Sequence, residues 1–547
     1  MHLEPTGAWW LLGVCAALVV AFLLTAHFTK LKTKLPRFYS WIGALAIFGG
    51  ALAFLLPIAL NSGFGKDDDG RVLRQLILYA TGGLLGVITL GETHRKNNQE
   101  KQKNENDHTR QVYAERRSRY TKAVEQLANE KAAVRLGGIY TLVGLVDEWL
   151  ADDTLGQEDQ QKEGQVIINN LCSYIRSPFP LTEEIEEYEA HKELEKLQKT
   201  GPENLREAES SRLQVLLKRF ENPNDYEKPE DITADYAKFH EEQDVRRTIF
   251  VEMGKRSSVI SNKMEGDVTV TPGPWSDFDF DFSRAPIFYP LNNLTIEKPN
   301  FSSGRFYGGI SFLQTTFVRK ADFSEAIFIQ HADFAGTTFI QHADFAGTTF
   351  IQHADFTETV FTHEARFGKA TFIQTADFRV AVFTQNARFS MTTFTQEVRF
   401  GEATFTKNAN FSWAIFTQDV SFRKTTFAQK AVFKSATFTQ SAYFNETIFK
   451  ENSPKFVYPS KVSDRIFSAR FAALSGIRRA HDFTVYGGSK PINLGTATLL
   501  GKSFEIPVGT VLFDPDSWDE KKQEYTRVSE PAKPLDESDE VEEDKTE

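Results

Sequence analysis

The stretch FIQHADFAGTTFIQHADFAGTTFIQHADF, Phe328 to Phe356, decides how this 547-residue chain is read. It states one eleven-residue phrase twice and begins a third. Around it Phe recurs without a miss: Phe301, Phe306, Phe312, Phe317, Phe323, Phe328, Phe334, Phe339, Phe345, Phe350, then through Phe378 and Phe383 to Phe449. The gaps alternate between five and six. Two residues before nearly every Phe stands a small residue, such as Ala321, Ala332, Thr337, Ala343 or Thr348, with Val398 and Val420 as exceptions. Residues two apart on extended backbone point to the same side, so the small residue and the Phe both face inward. The Phe residues are therefore a structural ladder. A period of five or six is too short for a strand and an ordinary loop. It fits a coil with a corner after each short extended piece, and such pieces must stack to bury their inner faces.

The phrase HADFAGTTF resembles the pentapeptide-repeat family, whose unit is A(D/N)(L/F)xx, and the resemblance covers roughly Phe278 to Phe449. It implies a right-handed, four-sided β-helix. Every second gap departs from the family by one residue, in stretches such as IQHAD, and this extra residue reads as a bulged corner. Four faces then take 22 residues per coil. At a stacking distance of about 4.8 Å, seven coils make a rod about 33 Å long. An open coil end would offer unpaired strand edges. FDFDFSRAPIFYPLNNL is expected to cap one end, and KFVYPSKVSDRIFSARFAALSGIRR the other with a helix.

Ahead of the rod lie three apolar runs. Ala8–Phe28, Trp41–Leu60 and Gln75–Gly91 contain no Asp, Glu, Lys or Arg, and about 17–20 such residues suffice to cross a bilayer. The first lacks the basic start and small-residue cleavage site of a signal peptide. Gly82 and Gly86, at GxxxG spacing, are candidates for close helix packing. Lys30, Lys32, Lys34 and Arg37 follow the first run, Asp67, Asp68 and Asp69 the second, and Arg95, Lys96, Lys101 and Lys103 the third. Basic loops stay in the cytoplasm. The expectation is a multi-pass protein of the cell membrane, N-terminus outside and C-terminal domains cytoplasmic.

Between the runs and the rod, apolar residues recur at helical spacing, as at Val124, Leu127, Val134, Ile139, Leu142, Leu145 and Val146. The phrase YTKAVEQL…VRLGGIYTLVGL resembles a segment of bacterial membrane-anchored pentapeptide-repeat proteins. Net charge is −11, and residues 511–547 hold fourteen acidic and five basic residues. The final PAKPLDESDEVEEDKTE has too few apolar residues to offset its ordering entropy and is read as disordered. The domains are then three transmembrane helices (1–91), a cytoplasmic helical region (92–265), the β-helix (278–450), a C-terminal cap with a β-hairpin (451–513) and the acidic tail (514–547).

Motifs of catalysis are sparse. Gly495–Ser503 has five residues between the glycines where a phosphate-binding loop needs four. Two cysteines, Cys15 and Cys172, give no disulfide framework. His331, His342 and His353 repeat on the surface, and a copied surface His accounts for them without a metal. No catalytic, cofactor or metal site is assigned. The expected role is a non-enzymatic membrane-anchored scaffold presenting a rigid rod to a protein partner. Two alternatives are a DNA-mimicking protector of a type II topoisomerase and nucleic-acid binding through the rod's basic half. With twelve acids and fourteen bases over 301–450, the rod has neither the negative surface of a mimic nor a dense basic stripe. Charge instead changes sign along it. Asp322 and Asp344, 22 residues apart, are expected to line up with Arg366 and Arg388 on one outward face, a candidate interaction surface.

Overall fold

The structure is a computed structural model that describes residues 4–28, 37–62, 69–200, 202–205, 207–222, 226, 228–262, 268–459, 466–474 and 481–535. The chain divides into two compact units, Met1–Arg117 and Ser118–Glu547.

The first unit is helical. Helices α1 (Pro5–Phe28), α2 (Arg37–Ala59) and α3 (Asp69–Leu127) carry apolar windows of mean hydropathy 2.3, 2.2 and 1.5, each long enough to cross a membrane. Ala8 and Leu12 of α1 pack on Ala59 of α2. Trp10, Leu18, Trp41, Phe54, Leu76 and Val87 are exposed, as expected of side chains that face lipid rather than water. The close helix approach uses a different glycine from the expected pair. A Cβ on Gly49 would sit 2.5 Å from the Thr81 methyl of α3, whereas one on Gly82 or Gly86 meets nothing within 4 Å. Lys30, Lys32, Lys34, Asp67 and Asp68, which carry much of the expected orientation, lie outside the described residues.

In the second unit α4 (Ala132–Leu150) pairs with α5 (Gln157–Arg176), and α6 (Leu181–Thr200) with α7 (Glu207–Arg219). Helix α8 (Ile232–Arg256), capped by the Asp231 carboxylate on the Ala234 N–H, packs Val245, Ile249 and Met253 inward. Its Arg246 is buried beside Glu242, 2.7 Å away, and donates to the Ile175 and Ser177 carbonyls at 2.9 and 3.0 Å. The faces of Tyr174, Phe179 and Phe288 surround that guanidinium. Such a charge is tolerated in a core only when its donors are satisfied. Cys172 is buried among these helices, its thiol pushed up to about 12 by desolvation.

The rest is a parallel β-solenoid of about 22 residues per turn. Its first face runs from Phe280–Asp281 through Ala321–Asp322 and Ala365–Arg366 to Ala431–Val432, eight strands in register. The chain turns to a second face (Ile327–Phe328, Thr349–Phe350 and their equivalents), a third (Ala332–Asp333, Ala354–Asp355) and a fourth (Thr338–Phe339, Val360–Phe361). All 28 ladder Phe from Phe301 to Phe449 are buried. Rings one coil apart stack, as Phe323 on Phe345 at 4.9 Å and Phe356 on Phe378 at 4.8 Å. Rings from the opposite first and third faces meet edge to face, as Phe334 and Phe345 at 5.5 Å.

The alternation of five and six has a structural cause. The five-residue step is a tight turn closed by an i→i+3 bond, for example Thr337 N–H to Phe334 O at 3.0 Å, with a positive φ at its third residue, Gly336. Only Gly336 and Gly347 in the run from Glu325 to Glu446 are glycines there; Glu358, Lys369, Val380, Met391 and Trp413 adopt φ near +60° as well. Each non-glycine costs roughly 1–2 kcal/mol. The stack offsets this, because from Glu325 to Lys424 each such N–H donates to the next coil, as Glu325 to Ala346 O at 2.9 Å. The six-residue step is the wider Ile-Gln-His corner.

Two expectations about the ends are corrected. FDFDFSRAPIFYPLNNL is the solenoid's first coil, since Phe280–Asp281 pairs with Pro299–Asn300 and Pro286–Ile287 with Arg305–Phe306. The cap is the helical region itself. Phe250 of α8 lies 4.6 Å from Phe282 and 6.2 Å from Phe301, extending the aromatic core. Gln165 of α5 exchanges two 2.9 Å bonds with the Asp279 backbone, and Arg176 donates to Asp281 O at 2.8 Å. At the other end the described residues form strands instead of a helix. Val457–Pro459 and Ile466–Ser468 make a hairpin, and Arg470–Ala472 adds to the second face so that Phe471 stacks 4.7 Å from Phe438. Residues 460–465 and 475–480 lie outside the described residues. Leu494–Leu499 and Lys502–Pro507 form the expected hairpin. Short strands at Trp518–Asp519, Glu524–Tyr525 and Lys533–Pro534 occupy what was read as tail, and only 536–547 of it lies outside the described residues.

Candidate interaction surface

Most polar side chains of the repeat are consumed by the coil. The Asp after each inward Ala accepts the N–H two residues on and so fixes the tight turn: Asp333 from Ala335 at 2.9 Å, Asp355 from Thr357 at 2.8 Å, Asp377 from Arg379 at 3.0 Å. Where Thr replaces the small residue before the second or fourth face, its buried hydroxyl donates to a Phe carbonyl one coil back: Thr337 to Phe312 O at 2.8 Å, Thr348 to Phe323 O at 2.7 Å. Gln352 donates to Gln330 along one corner. His331 and His353 stack at 5.2 Å, and His353 Nδ1 lies 2.6 Å from the Thr375 hydroxyl. Burial, then the His331 neighbour, holds the His353 imidazole below its usual range. Among the described residues no three His, Cys, Asp or Glu side chains group as a metal set.

The first face holds the column Asn300, Asp322, Asp344, Arg366, Arg388, Asn410, Val432, each residue in register with the next. Lys455 follows by a bridge to Val432. Asp322 and Asp344 are drawn partly into the structure. Asp322 bonds Lys320 at 2.8 Å and the Ser324 N–H at 3.0 Å; burial works to raise its pKa, but these donors hold it below the usual carboxylate value. Asp344 accepts from the Ala346 N–H and faces Arg366 at 3.7 Å. Glu364, on the adjoining corner, contacts both Arg366 and Arg388.

Beyond Glu364 this face turns basic. Lys369 stands on the tight turn after Arg366, Lys407 and Lys430 on the wide corner before Asn410 and Val432, and Lys434 on the final turn. Lys369, Lys407 and Lys430 form no ion pair with a described residue. Lys434 lies over the Tyr458 ring at 5.2 Å. Met391 and Trp413 occupy the same edge as Lys369, both exposed and both at positive φ; Trp413 meets the Phe467 ring edge to face at 5.7 Å.

The opposite, third face differs in sign. With its flanking corners from His331 to Glu446 it carries eight acids and four bases. All four bases are paired: Arg379 with Asp377 at 2.7 Å, Arg399 with Glu397 at 2.6 Å, and Arg423 and Lys424 with Glu446 at 3.1 and 3.9 Å. Charge therefore segregates across the rod as well as along it. Sequence reasoning placed the acid-to-base column but missed Lys369, Lys407, Lys430 and Lys434. They become one surface only when turns and corners are assigned to faces, and that requires knowing which gap makes which corner.

A groove of about 1060 Å³ separates α6 and α8 from the first coils, lined by Ile185, Phe239, Phe288 and Tyr307 together with Glu189 and Lys192. Charges of both signs there favour no ligand sign.

The family model described as Pentapeptide repeats (9 copies) matches residues 334–382 and 381–426. No curated protein and no solved structure matches the chain. The matched residues are the middle of the solenoid, including Arg366 and Arg388, so the rod is a pentapeptide-repeat solenoid in which five- and six-residue steps alternate.

Proposed function

We propose that the protein is a non-enzymatic, membrane-anchored scaffold whose rod presents its first face to an acidic protein partner in the cytoplasm. The observation that carries this reading is the separation of unpaired cations onto one face. On the third face every base already has an acid within 4 Å, so its charge is spent locally. On the first face Lys369, Lys407 and Lys430 leave their charge facing solvent. Stacked coils hold that face rigid, so a partner orders it at little entropic cost, and its field orients the approach. The three apolar helices support membrane association, and the repeat family is typically non-catalytic. A DNA-mimicking protector of a type II topoisomerase would need a strongly negative surface, about one charge per 1.7 Å of duplex; eight acids against four bases make the third face negative, but far short of that density.

The test is capture of crosslinked partners from membranes by the full chain and by Arg366→Glu/Arg388→Glu. Both side chains are about half exposed but contact Glu364, so a denaturation curve of the double variant first checks that the fold survives the loss of those pairs. Capture should fall, most at low salt where screening is least. Undiminished capture by the folded double variant at every salt concentration overturns the reading.

A further inference from the structure

The basic face has a complementary segment within the same chain. Residues 536–547, DESDEVEEDKTE, hold eight acids and one base. The described chain ends at Leu535, directly after Lys533–Pro534 pairs with Gly495–Thr496. Ala532 is tied to the Gly509–Thr510 turn by two backbone bonds of 2.9 and 2.8 Å. A Cβ on Gly509 would lie 3.2 Å from Val457, and Val457 is two residues past Lys455, the last member of the basic column. The described chain therefore ends, at Leu535, near the end of the basic face. Twelve residues reach about 40 Å when extended. From Lys455 back to Arg366 there are four coil steps of about 4.8 Å, roughly 19 Å.

We infer that residues 536–547 lie on the first face as an acidic peptide, contacting Lys430, Lys407 and Lys369, and that the partner of the proposed scaffold must displace them; this rests on the first face being the docking surface. A tether this short gives an effective concentration in the millimolar range, so even a contact of about 100 µM would be occupied nearly all the time. The third face, with its excess of acid, repels the segment. An intramolecular cover also answers how a face with three unpaired lysines avoids indiscriminate binding to anionic polymers, which such surfaces attract.

The experiment compares the full chain, reconstituted in nanodiscs and treated with nuclease, with the same chain ended after Leu535. Acetylation rates of single lysines are read by mass spectrometry. In the full chain Lys369, Lys407 and Lys430 should be protected at physiological salt. Truncation should raise their rates roughly tenfold, as should about 1 M salt, while Lys424 on the third face stays constant. Equal rates in the two chains overturn the inference: if all three lysines are slow in both, another occupant covers the face, and if all are fast in both, nothing does. Partner capture by the truncated chain separates this inference from the scaffold reading. Undiminished capture with unchanged lysine rates removes the acidic segment from the account and leaves the docking face standing.

Discussion

Phe383 lies between Phe361 and Phe405, with ring centroids 4.8 and 4.7 Å away, and is fully buried. Its stack leaves no room for collapse, so Phe383→Ala should cost about 3–5 kcal/mol from lost transfer energy and the cavity left behind. Chemical denaturation of the variant checks this, and an unchanged midpoint would remove the inward assignment. A second prediction concerns His481. Its Nδ1 accepts from the Ala442 N–H at 3.3 Å and its Nε2–H faces Ala472 O at 3.1 Å, so both nitrogens are engaged in the neutral form. Burial lowers its pKa to about 4, against about 6.5 in an unfolded chain. Between these values the unfolded state binds more protons, so stability is full above about pH 6.5 and falls as pH drops toward 4. The loss at pH 5 is about 2 kcal/mol. Hydrogen exchange at Ala442–Phe444, corrected for intrinsic rate, should show it, and His481→Gln should flatten the dependence. At this scale the inward Phe and Ala were legible, because a period in sequence is a period in space. The turn residues were not. Glu358, Lys369 and Val380 share φ near +60° with no common chemistry, since the neighbouring coils and not the side chain impose it.

The helical region and the solenoid meet through a few close contacts that test their coupling. A Cβ on Gly164 of α5 would lie 2.5 Å from the Phe278 ring, whereas one on Gly144 of α4 would meet nothing within 4 Å. Gly164→Ala should therefore destabilise by about 1–3 kcal/mol through overpacking. Gly144→Ala should stabilise by about 0.5–1 kcal/mol through helix propensity. Exchange protection of α5 and of Phe280–Asp281 should drop together in the first variant. Protection lost in α5 alone would mean that the helices do not cap the coil. The helices themselves were readable from apolar spacing. Their capping role was not, because Gln165, Arg176 and Phe250 reach residues 279–301, across sequence distances no local pattern records. The C-terminal cap was misread as a helix for a related reason. From Phe449 the Phe spacing lapses, and FSARFAAL is rich in helix formers, yet Phe471 continues the stack begun by Phe306 because the edge of the second face offers it a register.

For the whole molecule, the three apolar helices and the rod were both legible, since each rests on a long uniform pattern. The charge segregation was half legible: the column Asp322, Asp344, Arg366, Arg388 follows from the 22-residue period, but the lysines of the flanking corners join it only in three dimensions. The proposed orientation is checked by reporters fused after Gln99 and after Glu547. Both should report cytoplasm, and activity of an exterior-dependent reporter at either site would reverse the topology. The proposed scaffold role requires the first face, and not the third, to meet a protein partner. A photo-crosslinking residue placed at Asn410, between Arg388 and Val432 on the first face, and at Ser421, in register with Arg399 on the third, compares the two at equal height on the rod. In intact membranes position 410 should give an intermolecular protein adduct and position 421 none. An adduct from 421 alone, or equal yields from both, would contradict it.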